Sequence, residues 1–263
     1  MIEDEFFYDR KIFEKVIKLK NKMTDKEIVS LLESDILELG SPYISYMFSR
    51  YIEGANIEEH EKILFKHKNV QLIVEWALHI DEADINSCEK IVLESNNKNS
   101  ILKFAEVNGA DIKKIEAAII RFNDPSTSYA FARDINGANI KAHEKIVAQD
   151  SYYSYLFAWK IKDADIKFLE QVVAQSNDAD LCTQFFKNVK GANVKVLEQG
   201  AIKSNSTLGL YRFMNNVEGI DKKAFKKRIQ ELEKNYQEIH KQNNLMINFE
   251  NKIDKLLTKK KTK

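Results

Sequence analysis

Apolar residues recur along this chain in short bursts at three- and four-residue steps, each closed by a polar stretch. In "STSYAFARDI", Ser128, Phe131, Ala132 and Ile135 stand at i, i+3, i+4 and i+7, which is one face of a helix. The same spacing carries Ile73, Trp76, Ala77 and Ile80, and again Ser154, Phe157, Ala158 and Ile161. A Gly or an acidic residue follows each burst, predicting a helix that ends with Gly in the left-handed C′ conformation. Next comes a column of Asn56, Asp84, Asp111, Asn139, Asp165, Asn193 and Asp221. These are favoured N-caps, because a short side-chain oxygen accepts an orphan backbone N–H. They predict a second helix in each unit, with apolar positions that include Ile57, Ile63 and Leu64.

The pattern repeats. "GANIEEHEKIL" from Gly54 returns as "EADINSCEKIV" from Glu82, "GADIKKIEAAI" from Gly109 and "GANIKAHEKIV" from Gly137. It continues as "DADIKFLEQVV" from Asp163, "GANVKVLEQGA" from Gly191 and "GIDKKAFKKRI" from Gly219, at steps of 28, 27, 28, 26, 28 and 28 residues. An aromatic column keeps the same step through Phe48, Trp76, Phe104, Phe131, Phe157, Phe185 and Phe213. A two-helix unit of this size cannot bury its own apolar face and must stack on its neighbours. The expectation is an all-α fold, a right-handed α-solenoid of about seven two-helix repeats, spanning 41–230. Between units, Asp124 followed by Pro125 reads as an N-cap with proline at N1.

The ends differ. Residues 1–40 read as a degenerate helical cap, in which Thr24 and Glu27 have the spacing of a capping box. Over 221–263 neither Gly nor Pro occurs, and Phe225, Leu232, Ile239, Met246 and Ile253 fall every seven residues. Ile229, Tyr236 and Leu257 fill intervening positions, with polar Asn243 and Glu250 as exceptions. This heptad pattern predicts one long helix from Asp221 to about Leu257, ending in a frayed basic "KKKTK". It nominates Leu232, Tyr236, Ile239, Met246 and Ile253 for self-association.

Composition agrees with helices. The 263 residues include 2 prolines and 8 glycines, too few for a turn-rich β protein. The net charge of +1 is uneven: residues 221–263 hold 13 basic and 6 acidic side chains, leaving 28 basic and 34 acidic ones in the body. Cys88 and Cys182 have neither disulfide-framework nor metal-knuckle spacing. No signal-peptide pattern and no membrane-length apolar run is seen, so a cytoplasmic protein is expected.

The "YAFARDI…GANIKAHEKIV" unit resembles short tandem two-helix repeats of uncharacterised bacterial and phage proteins, similar in plan to HEAT-type solenoids. Over about residues 41–230 the resemblance implies an interaction role and transfers no catalytic residue. "GADI" also looks like part of an ankyrin unit, but the TPLH turn is missing and the period is too short.

Candidate chemistry is thin. Glu61, Glu89, Glu116, Glu144, Glu170 and Glu198 recur at the repeat period, which predicts a structural ladder rather than one tuned carboxylate. "HEK" occurs at His60 and His143, but HExxH would need His where Leu64 and Val147 stand. Packing positions explain these histidines better than a metal. No Gly-rich phosphate loop or nucleophile–base spacing is present. The expectation is a protein that is not an enzyme and uses no cofactor or metal.

One stripe admits two readings, tyrosines at the edge of the core with their hydroxyls reaching solvent, or a binding face. Tyr46, Val74, Leu102, Tyr129, Tyr155, Thr183 and Tyr211 precede the aromatic column by two residues, and Arg50, Arg133, Trp159 and Lys187 are among those one turn further on. Stacked repeats would set Tyr46, Arg50, Tyr129, Arg133, Tyr155, Trp159, Lys187 and Tyr211 into a ridge of residue types common at interface hot spots. A protein partner on this ridge is the first expectation. Nucleic acid, gripped through Lys222, Lys223, Lys226, Lys227 and Arg228, ranks second because the body is acidic.

Overall fold

The computed structural model describes the backbone of residues 2–259 and the side chains of residues 9–252. Over these residues the chain is all-helical, with sixteen α-helices and no strand. It divides into two compact units, residues 1–139 and 140–263.

The first unit opens with α1 (Ile2–Leu19) and α2 (Asp25–Leu39). The anticipated capping box is present: Glu27 N–H donates to Thr24 Oγ1 at 3.3 Å, and Thr24 N–H donates to Glu27 Oε2 at 2.8 Å. Phe13, Val16, Ile28 and Ile36 of these two helices share a core with Ile44 and Phe48. Three full pairs follow, α3 (Pro42–Tyr51) with α4 (Ile57–His67), α5 (Val70–His79) with α6 (Ile85–Glu94), and α7 (Lys98–Phe104) with α8 (Ile112–Phe122), before α9 (Pro125–Asp134). In this unit α3, α5 and α7 each pack on their own second helix and on the next first helix, as α3 does on α4 and α5. Contacts between successive helices of this kind are compatible with a repeat solenoid.

The second unit begins with α10 (Ile140–Val147) and runs through α11 (Ser151–Lys160), α12 (Ile166–Gln175), α13 (Ala179–Asn188), α14 (Val194–Ala201) and α15 (Thr207–Asn216). It ends in α16 (Lys222–Lys259), for which Asp221 supplies the N-terminal acceptor as anticipated.

Every member of the aromatic column, from Phe48 to Phe213, is 0% exposed. So is every member of the column that holds His60, Cys88, Ile115, His143, Leu169, Leu197 and Phe225. Burying one such large side chain contributes about 1.5–3 kcal/mol before entropy is counted. The first helices end differently from expectation. Ile52, Ile80, Ile135, Ile161, Val189 and Val217 leave the helix in extended conformation, each donating its N–H at 2.9 Å to the carbonyl of the column aromatic four residues back. The apolar Ile or Val is therefore the C-cap. The glycine lies two residues further on, in the turn, where Gly137 has φ 82° and Asp163 takes the same place at φ 67°.

Candidate functional site

The repeated carboxylates form a ladder. In the first unit Glu61 Oε1 accepts the Asp84 N–H at 2.8 Å and Glu89 Oε2 accepts the Asp111 N–H at 2.7 Å, while Glu116 accepts that of Asn139. In the second unit Glu144, Glu170 and Glu198 accept the N–H groups of Asp165, Asn193 and Asp221. An N-cap residue's own N–H is an orphan that a capping box satisfies from within the same helix. Here the preceding repeat satisfies it, so each rung joins one second helix to the start of the next. A further rung was not anticipated: Glu33 of α2 accepts the Asn56 N–H. Its signal was present, since Glu33 precedes Glu61 by one period.

Lysines share several rungs, Lys114 with Glu89 at 3.2 Å, Lys141 with Glu144 at 3.0 Å and Lys195 with Glu198 at 2.8 Å. Among the described residues Glu61 and Glu170 have no such cation. Burial pushes both carboxyls above the usual range, against the backbone hydrogen bonds that pull the other way. Glu61 also accepts from Trp76 Nε1 at 3.0 Å, which satisfies the only indole in the aromatic column. Six buried or half-buried carboxylates in equivalent roles, with each tied to backbone, hold structure together.

The thiols are equally committed. Cys88 and Cys182 are free and buried, and desolvation raises each to about 12, so neither is a thiolate near neutral pH. Among the described residues no group of three or more His, Cys, Asp and Glu side chains is placed to hold a metal ion. No helix there is long and apolar enough to cross a membrane.

The stripe of first-helix residues keeps its pairing but not its predicted exposure. Tyr46, Tyr129 and Tyr155 are buried, at 4%, 8% and 3% exposure, so they form no open aromatic ridge. The reason is their position at i−2 from the column aromatic, which turns the ring toward the neighbouring repeat. What faces solvent is the residue one turn on. Arg50 donates to Tyr46 Oη, and its guanidinium carbon lies 5.4 Å from the Tyr51 ring centroid. Arg133 lies 5.3 Å from the Tyr129 centroid and forms two bonds to Asp134. In the second unit Trp159 stacks on Tyr155 at 5.8 Å, with Lys160 Nζ 3.4 Å from the indole centroid. Asn188 Nδ2 donates to Tyr155 Oη at 2.7 Å, and Lys187 Nζ donates to Asn216 Oδ1 at 2.7 Å. Trp159 and Tyr211 are the exposed aromatics of the nominated set, each at 42%.

On this face of the first unit a groove of about 440 Å³ runs across α3, α5 and α7. Tyr43, Tyr46, Leu72 and Val74 give it an apolar floor, and Glu75 and Lys103 pair at its edge. Lys103 holds the Glu75 carboxyl below the usual range against the cost of burial. Of these, only Tyr46 belonged to the nominated set. Glu75 and Lys103 could have been found as opposite charges one period apart.

The nominated self-association residues lie on α16. Phe225 and Ile229 are buried, with Phe225 stacked 5.3 Å from Phe213, so the helix start belongs to the body. Leu232 is half-buried, and Tyr236, Ile239 and Met246 are exposed at 68%, 57% and 70%. The Ile253 and Leu257 side chains and the end of "KKKTK" lie outside the described residues. Compared with protein-family models, curated proteins and solved structures, the chain matches none.

Proposed function

We propose that this chain is a non-enzymatic helical-repeat interaction module that binds a protein partner along its first-helix face, with the C-terminal helix serving self-association or docking. The groove across α3, α5 and α7 carries this reading, because it combines an apolar floor with a charged edge on the face where Arg50 is exposed. Interfaces use such a mixture, with aromatic and Arg anchors surrounded by polar rim. The buried tyrosines act as supports that fix the exposed partners one turn on.

The test compares affinity capture from host lysate, treated with nuclease, for the wild-type chain and for Arg50→Ala combined with Lys103→Glu. A stoichiometric protein retained by the first and lost by the second supports the assigned face. Equal retention by both sinks it. Substitution of exposed residues avoids the core damage that Tyr129→Ala would cause at 8% exposure.

The exposed Lys222, Lys223, Lys226 and Lys227 at the start of α16 favour a second reading, nucleic-acid binding. It requires affinity that falls steeply with salt, since phosphate contacts release counterions.

A further inference from the structure

The first turns of α16 are fixed on the body by Phe225 and Ile229, and the helix then continues with apolar side chains in solvent. Leu232, Tyr236, Ile239 and Met246 fall at steps of four, three and seven residues, with Asn243 between the last two. That is a two-stranded seam in which Tyr236 and Asn243 take a positions and Leu232, Ile239 and Met246 take d positions. Phe249, exposed at 64%, widens the apolar strip after Met246. Leu232, Tyr236 and Ile239 line an open cleft of about 540 Å³ together with Asn205 and Thr207.

We propose that this strip pairs with the same strip of a second copy of the chain, as a parallel, in-register, two-stranded coiled coil over about residues 232–252. The proposal deepens the self-association reading of the C-terminal helix given above and is independent of the partner face. Three observations select a second copy. The strip follows the period of its own complement, so each knob meets an identical layer. Between 233 and 252 Lys234, Lys241 and Lys252 balance Glu233, Glu238 and Glu250, so the strip carries no net charge against its own copy, and the one like-charge layer, Glu250 at the last a position, falls at the end of the seam. Asn243 is the one uncharged polar residue at a seam position in this stretch.

Asn243 also selects the orientation. In a parallel pair, a positions face a positions, and the two Asn243 amides hydrogen-bond to each other. In an antiparallel pair, a faces d, and each Asn243 would be buried against Ile239 or Met246 with no partner. An unpaired buried polar group costs about 1–3 kcal/mol, twice over in a dimer. A single buried Asn at an a position is known to specify register and oligomer state in this way.

Two single-cysteine variants of the full chain, Tyr236→Cys and Asn243→Cys, test the proposal under mild oxidation, alongside sedimentation equilibrium of the wild type. Cys88 and Cys182 are buried, so the introduced thiol is the accessible one. A disulfide needs Cα atoms about 4.4–6.8 Å apart, which a parallel pair supplies at both positions. An antiparallel pair in which Asn243 faces Met246 would hold the two copies of residue 236 roughly 25 Å apart at 1.5 Å per residue. The expected result is a wild-type dimer and intermolecular cross-links at both positions. Ile239→Glu with Met246→Glu should weaken dimerisation at least tenfold without loss of helical signal. A wild-type monomer at all concentrations overturns the proposal, as does a cross-link at one position only or an association that survives the double Glu variant. Because neither readout involves the first-helix groove, failure here leaves partner binding to its own test.

Discussion

Glu61 Oε1 accepts two N–H groups at once, from Trp76 and from Asp84, in a site only 8% exposed. Glu61→Ala strands both donors, each worth about 1–3 kcal/mol when buried without a partner, so a loss of roughly 2–6 kcal/mol is expected in denaturant unfolding. Glu61→Gln keeps the accepting oxygen and removes the charge, and should cost no more than about 1 kcal/mol at neutral pH. The pH dependence has a definite sign. Burial raises the Glu61 and Glu170 carboxyls in the folded chain, so the fold favours their neutral form. Their contribution is fully present below the ordinary Glu value of about 4.3 and declines as pH rises through the raised native value. Asp124 runs the other way. Burial opposes its charge, but hydrogen bonds from Ser126 and Thr127 outweigh this and hold its carboxyl well below the usual range. Its contribution is present above the ordinary Asp value of about 3.9 and is lost as pH falls further. Carboxyl titrations followed by NMR should therefore move Glu61 and Asp124 in opposite directions, and a matched pair of ordinary values would contradict both assignments. Asp163 offers a separate check. It holds φ 67° where other repeats place Gly, and Asp163→Gly should raise stability by up to about 1 kcal/mol.

At the scale of elements, the boundaries follow chemistry that a single sequence displays well. Period, caps and the buried aromatic were legible because each depends on residues within one helix or one turn, as with Asp124 and Pro125. The place where each first helix stops was less legible, because Ile and Val have no capping side chain. Their role comes from packing, with the backbone turning extended so that the apolar side chain stays in the core. The close approach of α12 and α14 was hidden for a similar reason. A Cβ at Gly200 would sit 2.2 Å from the Ala174 carbonyl oxygen, so the two helices touch through backbone. Gly200 looked like an ordinary variant of the second-helix phrase, because the contact that demands it lies one repeat away. Gly200→Ala should destabilise by about 1–3 kcal/mol through overpacking, even though Ala is the better helix former. Thermal unfolding decides it, and an increase in midpoint would show that the helices separate at little cost. The burial of Tyr46, Tyr129 and Tyr155 was legible only as one of two readings, edge-of-core residues or an open ridge: i and i+4 spacing identifies the pair but not which member the neighbouring repeat covers.

Over the first unit as a whole, helices contact their neighbours in sequence order, and each rung of the ladder joins adjacent repeats only. Such an array has a stability that is close to a sum of repeat and interface terms, so the place of a lesion decides its reach. Glu33 and Glu89 make the same bond, each accepting the N–H of the next N-cap residue, Asn56 and Asp111. They differ in surroundings. Glu33 joins the N-terminal pair α1 and α2 to the first full repeat, whereas Glu89 stands between repeats on both sides. Loss of one charge-assisted bond is worth about 1.5–3 kcal/mol at either place. Glu33→Ala should spend that loss on the end, with faster amide exchange confined to α1, α2 and the start of α4 and little change in the unfolding midpoint of the rest. Glu89→Ala should divide the array, lowering the midpoint and broadening the transition as the two sides cease to unfold together. Hydrogen exchange and denaturant unfolding of the two variants, measured side by side, separate these outcomes. If both variants lower the midpoint equally and accelerate exchange throughout the unit, its coupling is global, and the nearest-neighbour description of the ladder fails.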